Sequence, residues 1–307
     1  MMEFSIQYIL IAVFSMECLL GLTVNTIIVV ANFMKWKRLK SLQTCDKILS
    51  SLAICRGLNF IIILLENFFC IYFPWLVQNN IEALLLKVLT MSLFNSSNWI
   101  STVLCVFYCV KIVNYNYKLF VFLKTRISTM VTPLILASLL ISLLSTLPLG
   151  WHGFDVKQQN ILNGSTENMT KYALLLVTNF DQYFLIFLVT SFPTFLIFCV
   201  AMFLLINFLL KHTRQMRSNG SQIHNRNRES QLTALKSMTI FLILKIIIFI
   251  CMCLFTCGSS FHFEFPFLIG WIILFSPPLF HSLYVISSSC EVKKMFVLLY
   301  LGLIRCS

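Results

Sequence analysis

The sequence predicts an all-α integral membrane protein, a bundle of seven transmembrane helices with its N-terminus outside the cell and its C-terminus in the cytoplasm. Three observations predict it. Hydrophobic residues make up 59% of the 307, charged residues only 11%, and 30 residues are Phe, which leaves too little polar surface to coat a globule in water. Seven apolar runs, at about 6–33, 48–73, 83–110, 128–149, 182–210, 237–257 and 267–287, are each long enough to cross a hydrocarbon core of about 30 Å as a helix. Helices are the form such runs take because they satisfy their own backbone hydrogen bonds where water is absent. Finally, five Lys and Arg fall in 35–47, four in 111–126, six in 211–236 and three in 293–305, whereas the alternate loops carry only Lys157 and Lys171. That asymmetry sets the basic loops in the cytoplasm. It also accounts for the net charge of +12 without a nucleic-acid partner.

The first run carries Glu17, Gly21 and Asn25 every four residues, within an arc of about 80° on a helix. It is long, lacks a basic start and leads directly into Lys35, Lys37, Arg38 and Lys40, so an uncleaved anchor is expected rather than a signal peptide. In the second run Arg56, Asn59 and Glu66 also share an arc of about 80°. A charge at the bilayer centre costs about 2.5 to 3.5 kcal/mol, so both stripes are expected to face neighbouring helices or a watery cavity. Arg56 reads foremost as a structural clamp and otherwise as a moving switch element. Glu66 reads equally as a ligand-facing carboxylate or an interhelical hydrogen-bond partner.

The third run holds Trp99 in mid-helix, expected to pack between helices. The fourth ends near Pro148, and the loop after it carries glycosylation sequons at Asn163 and Asn168. The sequons at Asn95 and Asn219 are expected to be chance matches, one at membrane depth and one cytoplasmic. Pro193 lies in the fifth run. Lys245 lies near the middle of the sixth. Its ammonium is expected to find a carboxylate, water or another hydrogen-bond acceptor, to meet an anionic ligand, or to give up its charge. In the seventh, Pro277-Pro278 precedes His281 and Ser282 and is expected to interrupt and kink the helix. The longest polar segments are 150–181 and 211–236, and no linker or internal repeat divides the chain, so one domain is expected over 1–307.

Several function classes are disfavoured. A transporter, for which intramembrane charges would speak, is expected to show an internal repeat and paired broken helices. The five His have no close metal-ligand spacing and no Gly-x-Ser-x-Gly elbow occurs, so no enzyme, metal or cofactor is expected. A retinal photoreceptor needs a Lys in the seventh run, and 267–287 has none. The twelve Cys, with no Cys-x-x-Cys pair, read as buried apolar thiols.

Short motifs narrow the class. Glu17-x3-Gly21-x3-Asn25, then Asp46-x-Ile48-Leu49-x2-Leu52-Ala53-x2-Arg56, then Phe107-Tyr108-x2-Lys111-Ile112-x-Asn114 follow in order. After them come Leu123-Lys124-x-Arg126-Ile127, Lys211-His212-x3-Met216, Ala234-Leu235-Lys236 and His281-Ser282. Jointly these resemble the bitter taste receptors, the type 2 taste receptor family, along essentially the whole chain. The lack of Asp-Arg-Tyr after the third run and of Asn-Pro-x2-Tyr in the seventh agrees with that resemblance.

The resemblance implies a plasma-membrane, G-protein-coupled receptor that binds bitter small molecules in the outer half of the bundle and activates a heterotrimeric G protein. A pheromone-type chemoreceptor is the nearest alternative. By the same resemblance Arg56 bridges Asn25 and Ser282, with His281 and Tyr108 in the switch network, to which Lys245 is added on its own chemistry. Glu66, Thr90, Phe94 and Trp271 become pocket candidates by position. Lys111, Lys124, Lys211, His212, Arg214 and Lys236 line the expected G-protein rim, a placement that lipid head-group attraction alone would also explain. Homo- or hetero-oligomers stay open. The chain departs from the family pattern at Thr90 and Phe94, where Trp and Asn are common, at Gln231 for His, at Lys245 and Ile248 for Tyr, and at Ser289 for Asn.

Overall fold

The computed structural model describes residues 2–73, 81–113, 118–162, 180–218, 239–240, 242–250 and 264–288. The described residues are almost all helical, with no strand among them. Six long helices are α1 (Met2–Leu39), α2 (Thr44–Tyr72), α3 (Ile81–Ile112), α4 (Lys118–Leu162), α5 (Phe180–Ser218) and α6 (Glu264–Ser288). Five of them contain stretches long and apolar enough to cross a membrane: Ile9–Leu39, Thr44–Phe69, Leu85–Ile112, Phe120–Pro148 and Val189–Phe208. These match the first five apolar runs. The last run corresponds to a shorter apolar stretch, Ile272–Ser287, within α6. Of the sixth run, 239–240 and 242–250 are helical and the rest lies outside the described residues.

Helices and apolar runs end in different places. The fourth run was bounded at 128–149, yet α4 runs from Lys118 to Leu162, straight through Pro133 and Pro148. Hydropathy marks where lipid contact stops, whereas a helix continues as long as its backbone bonds do. Pro277-Pro278 likewise does not interrupt α6, contrary to the sequence expectation. Pro277 has no N–H to offer the carbonyl of Ile273, four residues back, and the Ser276 hydroxyl donates to that carbonyl at 3.2 Å instead.

Polarity is inverted relative to a water-soluble bundle. On α1, Val13, Met16, Leu20 and Phe33 are exposed while Glu17, Asn25 and Asn32 are buried. On α4, Leu136, Leu140, Leu144 and Leu147 face outward, and Ser138, Ser142 and Thr146, spaced by fours, face inward. Apolar chains outside and hydroxyls inside is the arrangement for which lipid is the solvent.

α3 sits centrally, packed against α2, α4 and α5, while α1 packs on α2 and α6. α1 ends with Lys37 and Arg38 in its last turn, and Lys40 then adopts a left-handed φ of 54° to reverse the chain into α2. Lys35 and Asp46 close that corner with an ion pair of 2.7 Å. The corner defines a basic end of the bundle, at which α3 and α5 also finish and α4 begins. Three apolar clusters fill the interior. One, from α2 to α5, is built on Ile48, Leu104, Phe107 and Phe198. A second, towards the far end, joins Phe14, Phe60, Ile63, Phe94 and Phe275. A third packs Val24, Ile28, Ala53 and Leu279 between α1, α2 and α6.

Candidate functional site

Between the apolar clusters lies a polar layer built on Arg56, which is 3% exposed. Its Nε donates to Ser97 Oγ on α3 at 3.1 Å. Its Nη1 donates to Ser282 Oγ at 2.9 Å and to the Pro278 carbonyl at 3.2 Å, both on α6. His281 Nδ1 lies 3.0 Å from the same nitrogen, so that ring nitrogen is the acceptor and the ring proton sits on Nε2. The Ser282 hydroxyl donates to Asn25 Oδ1 on α1 at 3.0 Å, and Asn25 Nδ2 donates to the Gly21 carbonyl at 2.7 Å. One guanidinium thus ties α2 to α3 and α6 directly and to α1 through Ser282. The planar fork of Arg suits this, since its donors point in fixed and different directions.

Towards the far end, Glu66 accepts the Thr90 hydroxyl at 2.9 Å, joining α2 to α3. Phe94, one turn below Thr90, is buried edge-on against Phe275 at 5.1 Å. It packs in the aromatic cluster instead of lining open space. Trp271 lies on α6, and its side chain falls outside the described residues.

Lys245 is 6% exposed, on a helical stretch whose Ile243, Ile246, Ile247 and Ile250 face outward. Its ammonium donates to Asn98 Oδ1 at 3.2 Å and to the Asn98 carbonyl at 3.5 Å. It also lies 5.5 Å from the centre of the Phe198 ring. Among the described residues an amide and an aromatic face adjoin it, and they connect 242–250 to α3 and α5.

At the basic end, Tyr108 Oη and Cys45 Sγ are 3.0 Å apart, linking α3 to α2. Lys111 is exposed over the Phe107 ring, and Lys124 is exposed near the start of α4. Lys211, His212 and Arg214 continue α5 past its apolar stretch, with side chains outside the described residues. Lys236, Asn163 and Asn168 lie outside them altogether.

Sequence reasoning missed the partners. Ser97 and Asn98 are ordinary residues in an apolar helix, Thr90 was named only as a pocket candidate and not as the partner of Glu66, and only the recurrence of small polar side chains along 90–102 marks α3 as the polar seam. Asn95, passed over as a chance sequon, is buried and donates to Ser145 Oγ on α4 at 3.0 Å. The Lys35–Asp46 pair was also missed, although its members flank the α1–α2 corner.

Comparison with known proteins accords with this arrangement. Residues 1–303 match the family model described as taste receptor protein (TAS2R). The chain is 28% identical over 302 residues to "Taste receptor type 2 member 9" of Homo sapiens, covering 96% of this chain and 94% of that one. It is 30% identical to "Taste receptor type 2 member 114" of Mus musculus over 312 residues, covering 98% and 96%. "Taste receptor type 2 member 104" of Mus musculus is 30% identical over 298 residues, with 94% of each chain covered.

Proposed function

The chain belongs to the taste receptor protein (TAS2R) family and is a multi-pass chemosensory G-protein-coupled receptor, not an enzyme; we propose that it detects bitter small molecules at the plasma membrane. In this reading 1–307 is one domain of seven spans with the N-terminus outside, and the basic end of the bundle faces the cytoplasm. Ligand enters the opposite half, where Glu66, Thr90 and Trp271 border the site and Phe94 closes its base. Lys111, Lys124, Lys211, His212, Arg214 and Lys236 border the cleft that opens to a helix of the G protein. Asn163 and Asn168 are then external and open to glycosylation.

One observation carries the mechanism: the Arg56 node connects α1, α2, α3 and α6 at a single buried point. A ligand acts only through its preference for one packing over another. A node shared by four helices makes such a preference on α2 and α3 felt on α6. The test is calcium release in cells supplied with a taste-type G protein and screened with a panel of bitter compounds. Dose-dependent release that disappears without the G protein is expected. Compound-driven solute flux in liposomes carrying the receptor alone would replace this reading with transport. Epitope tags on the two termini should appear on opposite faces of the membrane.

Lys245 offers a second handle. Lys245→Met removes the bond to Asn98 that holds 242–250 against α3. A hydrogen bond to a charged group contributes about 1.5 to 3 kcal/mol, so basal signalling is expected to rise about threefold or more at equal surface expression. Unchanged basal and agonist responses would leave Lys245 without a switching role.

A further inference from the structure

The far half of the bundle holds a carboxylate that packing does not fully occupy. Glu66 is largely but not fully buried, and a carboxylate offers about four acceptor positions, of which the Thr90 hydroxyl fills one at 2.9 Å. Glu66 lies three residues beyond Ile63 on α2, and Thr90 four residues before Phe94 on α3. The pair therefore stands about one helical turn above the layer of Ile63 and Phe94. That layer is sealed by rings: Phe275 is 5.1 Å from Phe94, 5.8 Å from Phe14 and 6.4 Å from Phe60, centre to centre. Phe60, Phe94 and Phe275 are each at most 3% exposed, so nothing bound above them reaches deeper. Lys87, three residues before Thr90 and one turn nearer the far end, is within electrostatic reach of Glu66. It is a cation with which a ligand would compete.

Among the described side chains, two acidic groups in this half differ in kind. Glu17 is 9% exposed and neither of its carboxylate oxygens has a hydrogen-bond partner, while Glu66 is oriented by Thr90 and left partly open. A group fixed by a neighbour on one side and open on the other is arranged to receive a ligand. An anion there would meet repulsion. A neutral ligand would have to desolvate a carboxylate without replacing its lost hydration.

We propose that the far-half site selects organic ammonium compounds, with Glu66 as the counter-charge, Thr90 as the hydroxyl that orients it, and the Phe94–Phe275 layer as the apolar floor under the ligand's body. The inference deepens the chemoreceptor reading above and rests on it. Glu66→Gln is the informative variant because its amide oxygen still accepts the Thr90 hydroxyl, so the charge is removed and the interhelical bond kept. Thr90→Val does the reverse.

Wild-type, Glu66→Gln and Thr90→Val receptors, matched for surface expression, are to be compared by calcium release. The probes are benzyltrialkylammonium ions, their uncharged isosteres with carbon in place of nitrogen, and matched benzyl carboxylates. In the wild type the ammonium series should be at least about tenfold more potent than the other two, the effect of one charge-assisted contact. Glu66→Gln should abolish that preference, and Thr90→Val should retain most of it. The proposal is overturned if the three series are equipotent, if Glu66→Gln shifts all of them alike, as a purely interhelical role predicts, or if the surface-expressed receptor ignores every ammonium probe. Uncharged or anionic bitter compounds that activate as potently as the ammonium series would show that the selectivity has failed and the chemoreceptor reading has not. Silence towards the whole bitter panel would remove both.

Discussion

Arg56→Leu and Arg56→Lys are both expected to reach the cell surface at no less than about half the wild-type level and to lose agonist-driven calcium release by at least tenfold at matched expression. The first half of that expectation follows from two opposed terms of similar size. Burying a guanidinium at membrane depth costs about 2.5 to 3.5 kcal/mol, which Leu does not incur. Against this stand the contacts to Ser97, Ser282, the Pro278 carbonyl and His281 Nδ1. Interhelical hydrogen bonds in membranes average about 0.6 kcal/mol each, because hydroxyls find other acceptors when a partner leaves. Ser282 has two acceptors for its one proton, Asn25 Oδ1 and the Pro278 carbonyl, each at 3.0 Å, and keeps both within reach when the guanidinium leaves. The net change in stability is therefore small.

What is lost is the tie between helices. Arg56 reaches α3 with Nε and α6 with Nη1, two nitrogens of one rigid plane. Lys keeps the charge but has one nitrogen on a flexible stem, which cannot hold both helices in fixed relation. Signal loss in Arg56→Lys as severe as in Arg56→Leu therefore separates a geometric role from an electrostatic one. A wild-type dose-response curve for Arg56→Lys, measured alongside surface immunolabelling, would show that the fork is not what couples α2 to α6.

The charged members of this network were legible in the sequence because charge in an apolar run is conspicuous, and helical phase told which side of α1 and α2 they occupy. Their neutral partners were not. Ser97 and Asn98 are adjacent in sequence yet serve Arg56 and Lys245 separately, a division that depends on where α2 and 242–250 approach α3. Phase also grouped Glu17 with Gly21 and Asn25, but it cannot report what lies opposite. Asn25 meets Ser282, whereas Glu17 adjoins an aromatic cluster and has no hydrogen-bond partner. The extent of α4 and the continuity of α6 through its prolines were hidden for another reason. Both depend on backbone bonds, and hydropathy registers only side chains.

Gly21→Ala is expected to lower surface expression to less than half of wild type, the largest effect foreseen for the addition of a single methyl group. A Cβ at position 21 would fall on the Phe60 ring, meeting Cδ2, Cε2 and Cζ inside van der Waals contact. A flexible neighbour would move aside, but Phe60 is 1% exposed and its ring adjoins Phe275, which Phe14 and Phe94 flank in turn. The strain passes to the backbone, and α1 must retreat from α2. Small residues at helix crossings in membranes exist to allow that approach. Overpacking costs about 1 to 3 kcal/mol, and here the retreat also draws the Gly21 carbonyl and Asn25 away from Ser282. Phe60→Leu should rescue, because it removes the ring atoms the new methyl meets while filling most of the space. In a double-mutant cycle the loss in the pair should be well below the sum of the two single losses. Purely additive losses would mean that Gly21 is there for some reason other than the close passage of α1 across the face of Phe60.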